Sequence, residues 1–96
     1  MITHIVFFRL KDTSPDGLMR TKKVLMNMDG QIPVLKHIEV GLNVVASERA
    51  YDVALVTRFN CLEDLNAYQV HPEHLQVAAF IKEAVREPSV AIDYES

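Results

Sequence analysis

Cysteine is nearly missing from this chain: its 96 residues hold one, Cys61. No internal disulfide is possible, which fits a reducing compartment. A nucleophilic thiol at Cys61 stays open beside the commoner alternative, a buried or half-buried structural cysteine. Glycine is scarce as well. Three glycines give little material for a Gly-rich phosphate loop, and neither a nucleophile elbow nor a paired-carboxylate motif is present. No apolar run approaches the roughly 20 residues of a membrane span. The opening Met1-Ile2-Thr3-His4 turns polar too early for a signal peptide. Basic residues are not in excess either. A net charge of −3 and a pI near 5.7 disfavour nucleic-acid binding and leave no polybasic patch for a membrane surface. These absences point to a cytoplasmic protein with neither nucleic acid nor membrane as partner.

What is present is ordinary for a globular domain: 49% hydrophobic and 24% charged residues, without repeats, linkers or low-complexity segments. The length suits one domain, residues 1–96, with a core small enough that burial in an oligomer would help it. Ile2 to Leu10 alternates as a strand, with Ile2, His4, Val6, Phe8 and Leu10 on one face and Thr3, Ile5, Phe7 and Arg9 on the other. Both faces are apolar, so the strand should be central and covered on both sides. Ser14 and Pro15 open a helix as N-cap and first residue. Leu18, Thr21, Leu25, Met28 and Ile32 follow at helical spacing until Gly30 and Pro33 end it. Two more strands are expected at Val34 to Val45 and Tyr51 to Phe59, joined by a short polar connection.

Asn60 and Glu63 fit a capping box for a short helix from Cys61 to Val70, buried through Leu62, Leu65 and Tyr68. After a turn at His71-Pro72, a longer helix to about Arg86 is apolar around much of its circumference and should be well buried. Pro88 closes it, and Ser89 to Tyr94 makes the last strand. The order β-α-β-β-α-β, with a split second helix, is the ferredoxin-like α+β signature. Helices then cover one sheet face. Ile5, Phe7, Ala54 and Val56 make the other face too apolar to stand in water, so two copies would pack on it and close a barrel.

Two motifs carry a family resemblance over essentially the whole chain. Met1-Ile2-Thr3-His4-Ile5-Val6-Phe7-Phe8-Arg9-Leu10-Lys11 resembles the opening of the stress-responsive dimeric α/β-barrel (Dabb) family. Tyr68-Gln69-Val70-His71-Pro72-Glu73-His74 resembles that family's Tyr-x-x-His-Pro-x-His turn. Ile32-Pro33 and Ile92-Asp93-Tyr94 also sit where the family pattern has them. The resemblance implies a ferredoxin-like homodimer and says little about reaction. The family includes the plant olivetolic acid cyclase, a cofactor-free enzyme that closes a linear polyketide by aldol condensation. Its catalytic tyrosine and histidine correspond to Tyr68 and His74, and its strand-one histidine to His4. Its first-helix tyrosine and third-strand histidine fall near Leu25 and Val53, where this chain has lost the polarity.

The candidate catalytic residues are therefore His74, Tyr68 and His4, with His71, Leu25, Val53 and Phe8 as candidate pocket lining. His74 falls at the third position of its helix. The positive helix end disfavours imidazolium there, which leaves a neutral ring able to accept a proton. Tyr68 could orient a carbonyl while His74 takes a proton from the neighbouring carbon; its alternative role is a core aromatic whose hydroxyl reaches a partner or water. His4 is open between a hydrogen-bonded structural group and a pocket residue, and His71 most simply caps the Pro72 helix. His71 and His74, with His4 or Glu73, are a conceivable metal set, but His-Pro-x-His is not an established zinc spacing, so neither metal nor cofactor is expected. His37 reads as solvated. Two functions follow: a cofactor-independent enzyme of cyclase, lyase or isomerase type acting on a small carbonyl or aromatic compound, or a non-catalytic dimer that binds a small ligand or supports stress tolerance.

Overall fold

A computed structural model describes all 96 residues. The elements run β1 (Ile2–Phe8), α1 (Pro15–Met26), β2 (His37–Leu42), β3 (Val53–Phe59), α2 (Leu62–Gln69), α3 (Pro72–Ala84) and β4 (Val90–Glu95). The four strands form one antiparallel sheet in the order β2-β3-β1-β4. This is the ferredoxin-like α+β architecture expected from the element order. The sheet is open, ending in β2 on one side and β4 on the other.

Local chemistry starts the helices as their sequences suggest. Ser14 Oγ accepts from the Gly17 N–H at 3.1 Å, and Pro15 takes the first turn of α1, where a missing N–H costs nothing. Pro72 does the same for α3, and His71 Nδ1 accepts from the Glu73 N–H at 3.1 Å. The start of α2 departs from the expected capping box. Its N-cap is Cys61, not Asn60, and no side chain caps it. Cys61 is exposed, and Leu62 stands 60% exposed instead of buried, so α2 is anchored through Leu65 and Tyr68.

The regular elements are shorter than the periodicity suggests. α1 stops at Met26, yet Met28 and Ile32 remain buried in the turns that follow. Apolar spacing thus continues past the helix because the chain stays against the core, not because the helix persists. β2 ends at Leu42, opposite Val53, and beyond that pairing Val44 and Val45 lie exposed.

The core lies between the helical layer and the inner sheet face. Phe8, Val53, Leu55 and Phe59 rise from the sheet to meet Leu25, Met28 and Tyr68. Contrary to the expected burial of α3, only Val77 along it is fully buried, and Leu75 is 55% exposed. α3 leans mainly on α1 and α2 and stands off the sheet. The space beneath it, beside β4, is where the site lies.

The outer sheet face has no helix over it. The β1–β3 and β1–β4 registers align Ile5 with Val56 and Ile92, and Phe7 with Ala54 and Val90. Of these, Phe7, Val90 and Ile92 are exposed, and so is nearby Tyr94. Within this chain β1 is therefore covered on one side only.

Candidate functional site

A cavity of about 460 Å³ opens between the inner sheet face, α3 and the start of β4. Val6, Phe8 and Leu55 form its floor, Leu25 and Met28 one flank, and Val77 and Ile81 the roof. Tyr68 and His74 come from two different helices. The tight His71-Pro72 turn folds α3 back on α2 and puts their ring centroids 4.5 Å apart. His4, on central β1, presents its ring 6.3 Å from that of Tyr68. Phe59 packs on Tyr68 from a further side at 4.9 Å.

The electrostatics follow from burial. Tyr68 is fully buried, and desolvation pushes its phenol well above the ordinary range, so it remains a hydrogen-bond donor. Burial likewise pulls His74 below the 6.5 of a free imidazole. The Gln69 carbonyl works against that shift, and any charge on His4 works with it. The third helical position acts in the same direction as burial. His74 is thus held neutral near pH 7.

Two polar atoms here have no partner in the protein: Tyr68 Oη and His74 Nδ1, both buried. A buried polar group left unsatisfied costs about 1–3 kcal/mol, so a cost of this size at two side chains in ring contact that line one cavity calls for an explanation. His4 is satisfied on one side. Its Nδ1 pairs with the Asp93 carboxylate across the β1–β4 ladder, where the two residues stand opposite each other. That pairing directs the Nδ1 side to Asp93 and leaves Nε2 as the ring's free nitrogen.

Of the expected pocket residues, Leu25 and Phe8 line this cavity. His71 does not: its Nδ1 is occupied in capping α3. Val53 is 2% exposed within the core and borders a separate depression with Phe7 and Tyr51. No group of three His, Cys, Asp or Glu side chains is arranged to hold a metal ion; His71 caps α3, while His74 lines the cavity. Sequence reasoning missed Asp93 as a site residue, along with Gln69 and Lys82. The antiparallel alignment of β4 on β1 was the available signal for Asp93, but its register could not be counted from sequence alone.

Residues 2–96 match the family model described as the Stress responsive A/B Barrel Domain, Dabb. The chain belongs to this family. Among Dabb relatives, the stress-response A/B barrel domain-containing protein DABB1 of Arabidopsis thaliana is 28% identical over 99 residues. That alignment takes in 98% of this chain and 46% of the relative, so the Dabb chain described here spans about half of that protein. A crystal structure from Thermobifida fusca, described as a dimeric ferredoxin-like protein of unknown function, is 31% identical with a TM-score of 0.84, covering 97% of this chain and 88% of that one. The hydroxynitrile lyase of Passiflora edulis is 20% identical with a TM-score of 0.82, covering 97% of this chain and 90% of the lyase, a likeness of fold.

Two expectations follow from the unpartnered pair. Tyr68→Phe removes a buried hydroxyl that satisfies nothing, so the variant should equal or exceed the wild type in stability, by up to about 1 kcal/mol in denaturant unfolding. A loss of more than that would mean the hydroxyl has a structural partner. For His74, the folded state binds its proton less readily than the unfolded state. Its contribution is therefore complete above pH 6.5 and is lost as pH falls from there toward the depressed folded value. Acidification below pH 6.5 should thus destabilise the wild type more than His74→Gln, as read by melting temperature at fixed protein concentration.

Proposed function

We propose that this Dabb domain is a cofactor-independent enzyme of cyclase, lyase or isomerase type acting on a small carbonyl or aromatic compound. The reading rests on two side chains in ring contact, Tyr68 and His74, that both line a largely apolar cavity and each keep a buried, unpartnered polar atom, Oη and Nδ1. A carbonyl compound supplies what each lacks. Its oxygen accepts the Tyr68 hydrogen bond, and the carbon next to it offers an acidic proton to neutral His74. As the C–H bond breaks, its electron pair moves onto the carbonyl oxygen, where the Tyr68 O–H stabilises the developing charge. His4, aligned by Asp93, orients the substrate through Nε2. Exclusion of water by the apolar wall strengthens each of these contacts. The fold has room for such chemistry, as the Passiflora edulis lyase illustrates.

A thermal-shift screen of aromatic and polyketide-like carbonyl compounds tests the reading. Hits should stabilise the wild type, and His74→Ala should lower turnover of a hit by roughly 100- to 10,000-fold. Turnover unaffected by His74→Ala rules out His74 as the base. Binding without turnover of any hit favours a non-catalytic ligand-binding or stress-tolerance role instead, a reading supported by the apolar Leu25 beside the pair.

The domain also works as a homodimer in this proposal. The uncovered face bearing Phe7, Val90 and Ile92 is apolar enough to need a partner, and the Thermobifida fusca relative is described as dimeric. Light scattering should give twice the 10.9 kDa chain mass, and Ile92→Glu should shift it toward the monomer. A monomeric wild type at micromolar concentration contradicts the assignment.

A further inference from the structure

The cavity has two polar ends. Along α3, its roof is a stripe of His74, Val77, Ala78, Ile81 and Lys82. His74 and Lys82 are eight positions apart, which at the helical rise separates their backbones by about 12 Å along the axis. The near end carries the Tyr68–His74 pair and His4; the middle is Val6, Phe8, Leu55 and Ile81; the far end is Lys82 beside Pro88 and Ser89. Lys82 is the only lysine or arginine on the wall, and no carboxylate lines the cavity with it. It takes part in none of the ion pairs that hold Arg9, Arg20 and Arg86. Its one evident structural role is a mild one, a positive charge in the last turn of α3.

We infer that the ligand is an oxo acid, an apolar carbonyl compound whose distal carboxylate pairs with Lys82 while its carbonyl meets Tyr68 and His74. This rests on the proposed carbonyl chemistry and adds the charge and length of the substrate. Three features of one cavity converge on it: a hydrogen-bond donor with a neutral base at one end, an apolar middle, and an unopposed cation at the other. A neutral compound would leave Lys82 unused. A short acid would have to choose between the two ends. The flexible lysine stem can follow a carboxylate at the mouth without closing it, as suits an exposed residue.

The test uses matched probes: a phenyl ketone with an alkanoate tail (benzoylpentanoate) and its uncharged primary amide, titrated calorimetrically into wild type, Lys82→Gln and Lys82→Arg. The wild type should favour the acid by about three- to fivefold, the scale of a solvent-exposed ion pair. Lys82→Gln should abolish the preference and Lys82→Arg retain it. A role confined to the helix end would change melting temperature and leave the acid-to-amide ratio untouched. Equal affinities in wild type and Lys82→Gln overturn carboxylate recognition while sparing the cavity as a carbonyl site. Failure of both probes to bind, or binding that a cavity-filling Ala78→Phe variant with unchanged folding does not reduce, overturns both readings.

Discussion

Tyr68 is gripped on three sides by rings, and its hydroxyl is left with nothing to bond. Phe59 from β3, His74 from α3 and His4 from β1 surround it, so one side chain ties both helices of the split pair to the centre of the sheet. That contact fixes where α3 can go. With Tyr68 filling the space at the N-terminal end of α3, the rest of that helix is held away from the strands and braced mainly by α1 and α2. The cavity is the consequence. Its polar end comes ready-made, because the group that props the helix up also brings the phenol.

Both ends of the sheet's energetics show the same tension. Only 18 of 96 residues are buried, few for a chain that is nearly half hydrophobic. The inner face spends part of its area lining a void, and the outer face is uncovered. Every residue of β4 is exposed in the isolated chain, although β4 pairs with β1 over its whole length. Asp93 therefore meets His4 at a half-open strand rather than in a sealed core. Hydrogen bonding within the ladder, not apolar burial, holds this strand and aligns the histidine.

The parts legible in the sequence were those set by short-range chemistry. Ser14-Pro15 and His71-Pro72 mark two helix starts because proline and a capping group act within one turn. Alternation along Ile2 to Leu10 separates the inner from the outer face because strand period is a local property. The meeting of Tyr68, His74 and His4 could be anticipated through the family turn. What stayed hidden depends on distances the chain does not encode locally. Cys61 stands as N-cap in place of Asn60 without any side-chain cap, a choice that the local capping pattern does not predict. α3 looks buried from its composition, but composition cannot say that Tyr68 holds it off the sheet. Val53 shares the inner face with Leu55 but lies within the packed core and not on the cavity wall, and Asp93 faces His4 only through a register that pairs opposite ends of the chain.

A domain this small has little stability to spare, typically about 5–15 kcal/mol in all. Two unsatisfied buried atoms at about 1–3 kcal/mol each are therefore a large fraction of it. A phenylalanine at position 68 would preserve the packing of Phe59, His4 and His74 without the orphaned hydroxyl. A leucine at position 74 would fill the roof without the orphaned nitrogen. The chain carries the costlier residues at both positions, side by side, on the wall of one cavity. Where local choices oppose stability in this concerted way, the compensation lies outside folding. In the proposed function, a carbonyl ligand would offset that cost by giving both groups a partner, and the apolar wall around them would limit what such a molecule can be.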